Sequence, residues 1–201
     1  MGHREALLRG ARQCLEEKGY ARTTARDIVA ASGTNLASIG YHFGSKEALL
    51  NEAIGEGFRE WTDRVGEIAF ARENASPLDQ TAAGWTAMID SFDEHRTLMV
   101  AFVEAIAQAE RSPELRAQLA DNYQACRDQI SAMIRASLGE EAEAAGAAPD
   151  AIASFLMAVC DGLALQWLLD PERTPGGQEI ISALGSALAF SLERFPLAPA
   201  S

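Results

Sequence analysis

The chain has 201 residues, of which 48% are hydrophobic, and it carries a formal net charge of -12 at pH 7. That hydrophobic share excludes an intrinsically disordered chain and is enough to form a sizeable core. The 38 alanines and the lack of long alternating apolar and polar stretches favour helix throughout. We therefore predict an all-α fold of about nine helices.

The charge is unevenly divided along the chain. Residues 1–50 contain seven Lys or Arg and five Asp or Glu, whereas residues 51–201 contain ten and twenty-four. The first part therefore has a net charge of +2 and the second a net charge of -14. This division excludes a broadly basic nucleic-acid coat but permits a small DNA contact near the N-terminus.

The cysteines and the N-terminus indicate the compartment. Cys14, Cys126 and Cys160 are odd in number and widely separated, without a C-x-x-C pair or a histidine at ligand spacing. Neither a disulfide framework nor a zinc site is indicated, and we expect no metal and no cofactor. Charged residues such as Arg4 and Glu5 occupy the region where a secretory signal would be apolar. We expect a cytoplasmic protein.

One segment is long and apolar enough to raise the question of a membrane span. Ala151 to Leu169 contains Asp161 near its centre, and an aspartate at mid-bilayer costs roughly 2.5 to 3.5 kcal/mol on insertion scales. A helix buried in a protein interface fits this pattern better than a membrane helix.

The first 35 residues predict two helices. The first runs from about His3 to Lys18 and ends at Gly19. In the second, Thr24 and Asp27 have the spacing of a capping box, in which each side chain bonds the other residue's backbone N–H. We expect that helix to end near Ser32, before Gly33.

A third short helix, about Leu36 to His42, is predicted after an Asn35 cap, with Ile39 facing inward. Two short helices joined by a tight glycine turn are the minimum of a helix-turn-helix. A fourth helix is predicted from Lys46 to about Arg72. At about 1.5 Å per residue it is roughly 40 Å long and connects the two parts of the chain.

Further helices are predicted to begin at Pro77, Leu98, Pro113, Pro149 and Gln178. The acidic, low-complexity segment 139–146 is expected to be a mobile loop, and residues 196–201 a frayed tail. The last two helices are apolar around their circumference and must be covered on more than one side.

Residues 20–50 read Y-A-R-T-T-A-R-D-I-V-A-A-S-G-T-N-L-A-S-I-G-Y-H-F-G-S-K-E-A-L-L. This segment resembles the DNA-binding module of the tetracycline-repressor (TetR) family, and the helix layout beyond it is similar to that family in architecture. The resemblance implies a dimeric repressor that binds operator DNA and releases it when a small molecule binds. It also implies a DNA-binding domain at 1–48, a ligand-binding and dimerisation domain at 49–195, and the tail at 196–201.

Carried over to this sequence, the resemblance implies DNA contacts from helices two to four. The residues concerned are Thr24, Arg26, Asn35, Leu36, Ser38, Tyr41, His42 and Lys46. Thr24 and Lys46 are expected to bind phosphates at helix starts, and Arg26 to reach a base edge. Ser38, Tyr41 and His42 are expected to be exposed, although Tyr41 packing on helix one and His42 capping helix three are alternatives. Thr34 and Gly40 depart from the usual family pattern, and Gly40 costs its helix roughly 1 kcal/mol relative to alanine.

Large apolar side chains in the second domain form a candidate ligand wall. They are Phe58, Trp61, Trp85, Met88, Phe92, Met99, Phe102, Tyr123 and Trp167. Their number suits a mostly apolar ligand held by a few polar groups, for which Glu104, Gln108, Asp161 and Gln166 are candidates. For each wall residue a place in the ordinary core is the alternative, and Asp161 could instead bond across a dimer interface.

The resemblance implies that helices eight and nine of two subunits form the dimer interface. The expected residues are Phe155, Leu156, Val159, Gly162, Gln166, Leu184, Leu188 and Leu192. Ala158 and Gly162 are small enough to permit close approach of the helices.

Three other functions compete with this interpretation. An enzyme finds little support, because the sequence has no G-x-S-x-G, P-loop or H-E-x-x-H motif. A thiol redox switch is a second alternative, but the cysteines fall on apolar helical stripes, where an inert buried thiol is usual. An activator, or a binding module without DNA affinity, would share the fold, and the sign of regulation stays open.

Overall fold

The computed structural model describes residues 2–72, 75–144, 146 and 148–194. These residues form nine α-helices and one short 3-10 turn, Pro171–Arg173, with no strand among them. The helices are α1 His3–Lys18, α2 Ala25–Ser32, α3 Leu36–Phe43, α4 Lys46–Ala69, α5 Pro77–Asp90, α6 Arg96–Ala109, α7 Pro113–Ala144, α8 Pro149–Leu169 and α9 Gly177–Arg194. The predicted all-α fold is confirmed, and the predicted tail lies outside the described residues.

Side-chain caps fix the starts of the three helices that follow α1. Thr24, Asn35 and Ser45 each accept a hydrogen bond from the backbone N–H three residues later, at 3.0 to 3.2 Å. The Asp27 carboxylate accepts in return from the Thr24 N–H at 2.9 Å, which confirms the predicted capping box. Each cap satisfies a backbone N–H that has no partner within its own helix.

The end of α2 is fixed by Gly33, whose φ of +66° places it in the left-handed region. A side chain with a Cβ is strained there, so glycine is the residue that allows the sharp turn into α3. Helices α2 and α3 then lie on α1, and Leu7, Ile28 and Ile39 meet in their shared core. The predicted helix-turn-helix is therefore formed.

The acidic segment differs from the expectation. The backbone of α7 continues as helix to Ala144, so residues 139–144 are not a loop. Glutamate and alanine are good helix formers, and here their local preference outweighs the break expected at Gly139.

Two clusters of buried side chains hold the fold together. The first surrounds α1 and the start of α4 and includes Ala101 and Ala105 of α6, so it crosses the predicted domain boundary at residue 48. The second lies further along the bundle, where Trp61, Trp85 and Phe92 meet α8 and α9. The first 48 residues therefore share a core with α6.

Helix α8 is the one helix in the described part of the chain that is long and apolar enough to cross a membrane by length and composition. It packs along α7 on one side, and the other side is exposed. The acidic residue Asp161 lies near the middle of this helix, which favours an interface helix over a membrane helix.

Candidate DNA-binding surface and ligand cavity

The outer surface of α2 and α3 presents several of the predicted DNA contacts. Arg26 is exposed on α2, while Leu36 and Tyr41 are exposed at opposite ends of α3, Tyr41 to 85%. An exposed tyrosine ring and an exposed guanidinium on neighbouring short helices can reach base edges and sugars. The alternative in which Tyr41 packs on α1 is excluded by this exposure.

Two other residues of α3 are placed differently. Ser38 was expected to be exposed, but it is 8% exposed and its hydroxyl lies 3.2 Å from Nδ1 of His3. The Ser38 N–H also donates to the Asn35 side chain, so Ser38 is the backbone partner of the α3 cap rather than part of the exposed surface. His42 is half-buried, with its ring edge-on to Tyr41 at 4.8 Å between centroids. The surface that can meet DNA is therefore narrower than the sequence indicates.

Lys46 joins α4 to the beginning of α2. Its ammonium donates to the backbone carbonyl of Thr23 at 2.9 Å and lies 3.2 Å from the Glu47 carboxylate. Thr23 precedes the exposed cap residue Thr24, and its own buried hydroxyl donates to the Cys14 and Gly19 carbonyls. A positive charge therefore lies beside the start of α2, where the first backbone N–H groups have no partner within the helix, and this is the local chemistry of a phosphate site.

Two ion pairs between α1 and α4 are absent from the sequence predictions. Arg4 pairs with Glu52, and Arg12 pairs with Glu60, where one guanidinium nitrogen donates at 2.6 Å. The sequence did contain a signal for them, because both arginines and both glutamates are spaced by eight residues on helices that pack side by side. These pairs align α1 along the first half of α4.

A second set of contacts ties the DNA-binding helices to the body of the protein. Glu104 of α6 accepts from the backbone N–H of Ala21 at 3.1 Å, so it is not available to a ligand. The Tyr20 hydroxyl donates to the side chain of Asn51 at 3.0 Å, and burial raises the pKa of Tyr20 to about 12. The turn between α1 and α2 is thus held by both α4 and α6.

A cavity of about 370 Å³ lies between α4, α5, α7 and α8. Six of the nine predicted wall residues line it, namely Phe58, Trp61, Trp85, Met88, Phe102 and Tyr123. A volume of this size and an apolar, partly aromatic wall are typical of small-molecule sites.

A second cavity of about 470 Å³ lies between α6, α7 and α8 and is lined by the predicted residue Met99. The two cavities share part of their walls, including Tyr123 and Asp161. The Tyr123 hydroxyl donates to the Asp161 carboxylate. Burial raises the pKa of both groups, and the hydrogen bond raises that of Tyr123 further while opposing the rise for Asp161.

Two predicted wall residues do not reach either cavity. Phe92 is fully buried, and its ring lies edge-on to Trp167 at 5.8 Å between centroids. Both belong to the second core cluster, which also contains Trp61. For these two residues, the alternative of an ordinary core position is therefore the one observed. Among the predicted polar groups, Asp161 lines both cavities, whereas Gln108 and Gln166 are exposed outside them.

Family models match both parts of the chain. The model described as "BetI-type transcriptional repressor, C-terminal" matches residues 77–189, more than half of the chain, and that described as "Bacterial regulatory proteins, tetR family" matches residues 7–53. The chain belongs to the TetR family. It is a transcriptional regulator of the repressor type with a ligand-binding C-terminal domain, and members of this family are not enzymes.

Relatives and solved structures agree with the TetR assignment. The chain is 28% identical over 199 residues to the HTH-type transcriptional repressor DhaR of Mycobacterium sp., covering 94% of each chain. A putative transcriptional regulator from Rhodococcus sp. RHA1 superposes with a TM-score of 0.69 at 20% identity, covering 92% of this chain and 94% of the other. The multidrug binding protein EbrR in complex with proflavin superposes with a TM-score of 0.61 at 22% identity, covering 91% and 99%. These structures share the fold.

The predicted dimer face of this TetR-family chain is largely uncovered along α8. Phe155 is 53% exposed, Gln166 is exposed, and a Cβ on Gly162 would meet no atom within 4 Å. Leu156 and Val159 were expected on the same face but turn inward, toward the first cavity and the second core cluster. Leu165 and Leu169 are exposed in their place, and Ile152, which also lines the first cavity, is 36% exposed at the edge of this face.

On α9, Leu184 is half-buried. The side chains of Leu188 and Leu192 lie outside the described residues, so their predicted place in the interface stays a prediction.

The three thiols of this regulator are poorly suited to redox sensing. Burial raises the pKa of Cys14 and Cys126, and that of Cys160 to about 12. Cys160 lies in the wall of both cavities with its sulfur 2.8 Å from that of Met88. The thiolate is the reactive form of cysteine. Because these thiols stay protonated at neutral pH, their role is to pack in the protein interior rather than to react.

Proposed function

We propose that this chain is a homodimeric, cytoplasmic repressor that binds a palindromic operator and is released from it by a mostly apolar small molecule. One observation carries the proposal: helix α4 bonds the DNA-binding helices at its start and forms a wall of the ligand cavity further along. Lys46 holds the Thr23 carbonyl, and Phe58 and Trp61 line the cavity. From Lys46 to Phe58 the helix rises roughly 18 Å, at about 1.5 Å per residue.

The DNA-binding domain is assigned to residues 1–48, with α3 in the major groove. Tyr41 and Leu36 are its exposed apolar contacts. Arg26 on α2 contacts a base edge through its planar guanidinium group. Thr24 and Lys46 bind one phosphate, since the Lys46 ammonium lies beside the start of α2, where the first backbone N–H groups have no partner within the helix.

Asn35 and His42 have supporting roles in this assignment. Asn35 caps α3 and His42 orients the Tyr41 ring. Ser38, which is buried, is left out of the DNA contacts.

The cavity is proposed to control the position of α4. Asn122, which lines the cavity, donates to the backbone carbonyl of Asn51 at 3.1 Å. The neighbouring Asn51 side chain accepts from Tyr20 in the turn between α1 and α2. A ligand that displaces α7 from α4 therefore acts on a chain of bonds that ends at the DNA-binding helices. A shift of a few ångströms suffices, because both half-sites of an operator must be met at once.

The exposed stripe on α8 is proposed as the two-fold interface, in a domain spanning residues 49–195. Ile152, Phe155, Leu165 and Leu169 recur at helical spacing with Gly162 between them. An apolar stripe roughly 26 Å long without an intervening ion pair among the described side chains is typical of obligate interfaces.

The proposal is tested by selecting bound fragments from random duplex DNA and then titrating the selected operator with small molecules that raise the melting temperature of the protein. We expect a palindromic site and a dimer per operator. A saturating ligand should weaken operator binding about 5- to 150-fold, corresponding to a coupling of about 1 to 3 kcal/mol.

Two results would contradict the proposal. Footprinting that shows one asymmetric site protected by a monomer contradicts the dimeric arrangement. A ligand that occupies the cavity, protects it from chemical labelling and leaves operator affinity unchanged contradicts the role of α4.

A further inference from the structure

We propose that the ligand is a hydrophobic cation, either an amine or a flat aromatic cation, whose positive charge pairs with the Asp161 carboxylate. This inference rests on the ligand-binding role proposed above and names the chemical class of the ligand. It comes from the distribution of charge and aromatic side chains around the two cavities.

The first cavity has one charged group in its wall. Among the described residues that line it, Asp161 is the only one with an ionisable carboxylate, and none is Lys, Arg or His. Asp161 accepts a hydrogen bond from Tyr123 and forms no ion pair with any residue that the structure describes. A carboxylate in an apolar cavity without a cationic partner is destabilised by its lost hydration.

The pKa of Asp161 agrees with this account. Burial raises it, and the hydrogen bond from Tyr123 offsets the rise only in part. One neutral donor therefore does not replace the water that the carboxylate has lost. A ligand that brings a positive charge within hydrogen-bond or ion-pair distance would supply the missing partner.

Aromatic rings line the same two cavities as Asp161. Phe58, Trp61, Phe102 and Tyr123 line both cavities, as Asp161 does. The Phe102 ring is parallel to Tyr123 at 6.3 Å and edge-on to Phe58 at 5.2 Å between centroids. Cations are attracted to the faces of such rings, most strongly to tryptophan. A carboxylate and aromatic rings that line the same cavities are the two features that recognise an apolar cation.

The second cavity contains the charges that could argue for an anion. Arg116 and Arg127 line it, but Asp161 and Glu110 line it as well. The Arg127 guanidinium donates to Gln124 at 2.6 Å and lies over the Tyr123 ring at 5.7 Å from the centroid. Because Asp161 lies in the wall that the cavities share, an anionic ligand reaching from one into the other would meet a like charge.

The experiment compares three tricyclic probes of similar shape and different charge. They are 10-methylacridinium, a permanent cation; acridine, neutral at pH 8; and acridine-9-carboxylate, an anion. Each is titrated into the full-length protein at pH 8 and followed by its fluorescence. We expect the cation to bind about tenfold or more tightly than acridine, because only the cation gains an ion pair with Asp161 and cation–π contacts in a desolvated site, and the anion to bind least.

Asp161→Asn removes the charge at nearly constant volume. We expect it to abolish the preference for 10-methylacridinium while leaving acridine affinity within about twofold, which also shows that the variant cavity is intact. Asp121→Asn, at an exposed position of α7, removes a charge outside the cavities. It should leave all three affinities unchanged and so controls for the overall acidity of the chain.

Each outcome decides one of the two proposals. Equal binding of the cation and acridine to the wild-type protein, or a preference for the anion, overturns the cation assignment even if ligand still releases DNA. Tight, Asp161-dependent binding of the cation without any effect on the selected operator supports the cation assignment and contradicts the proposed function. If Asp161→Asn disrupts the fold, the comparison of the three probes on the wild-type protein still decides.

Discussion

Gly10 lies where α1 and α2 approach closely, and its replacement by alanine probes the helix-turn-helix directly. A Cβ at position 10 would lie 2.9 Å from the Ile28 carbonyl oxygen, 2.9 Å from the Ser32 Cβ and 3.0 Å from the Ser32 nitrogen. Two of these neighbours are backbone atoms of α2 and cannot rotate away. Alanine at this site therefore forces the two helices apart.

Two opposing effects set the magnitude. Alanine is favoured over glycine inside a helix by about 1 kcal/mol, whereas overpacking a tight contact costs roughly 1 to 3 kcal/mol. Since the contact here is with backbone, we take the upper part of that range and expect a net loss of about 1 to 2 kcal/mol. For a chain of this size that lowers the melting temperature by roughly 2 to 8 °C.

Gly40→Ala is the matched control, because it makes the same substitution in a neighbouring helix where a Cβ meets no atom within 4 Å. It should gain about 0.4 to 1 kcal/mol. Both variants are melted at one protein concentration, since dimerisation makes the melting temperature concentration-dependent. Operator affinity should fall for Gly10→Ala because α2 and α3 move with the displaced helix. If both variants are stabilised equally, the close approach of α1 and α2 is not a constraint on this domain.

Three further predictions concern DNA binding, the cap and the dimer. Lys46→Ala should weaken binding to all sequences about equally and lower the salt dependence by about one phosphate per subunit, whereas Arg26→Ala should relax preference at one base pair and cost roughly 1 to 3 kcal/mol per half-site. Lys18 and the Thr24 side chain and N–H hold the pKa of Asp27 well below its usual range. The stability that Asp27 contributes is therefore complete above its unfolded pKa of about 3.9 and is lost as the pH falls below it, so denaturant titrations of wild type and Asp27→Asn should converge in acid. Phe155→Glu should yield monomers by sedimentation, because a charge cannot be buried in an apolar interface without a partner.

Each of these predictions has an outcome that contradicts it. If Lys46→Ala and Arg26→Ala change the sequence preference identically, Arg26 does not contact a base. If wild type and Asp27→Asn differ by the same unfolding free energy at pH 7 and at pH 3, the ionised Asp27 carboxylate does not stabilise the folded protein. Leu78 is 68% exposed on α5, so Leu78→Glu is the control for placing a charge at an exposed apolar position outside α8, and equal effects of Leu78→Glu and Phe155→Glu would place the interface elsewhere.

The helix-turn-helix could be predicted from the amino-acid sequence, because its signals are local. A Thr24 or Asn35 cap and its N–H partner are three residues apart, and Gly33 sets its own φ. Such bonds form with little help from the rest of the chain. The helix starts and the capping box were predicted from these signals, while the end of α7 was not, since the helical preference of an alanine- and glutamate-rich segment was underestimated there.

Which side chains face a cavity and which face the core could not be predicted, because this depends on how the helices pack. Periodicity marks Phe92 and Phe102 alike as inward-facing, yet one packs on Trp167 in the core and the other lines both cavities. The buried place of Ser38 against His3 likewise joins residues 35 positions apart. Whether an apolar position contacts protein or empty space depends on how distant helices pack, because a cavity is the space that several helices leave between them, and no local pattern records it.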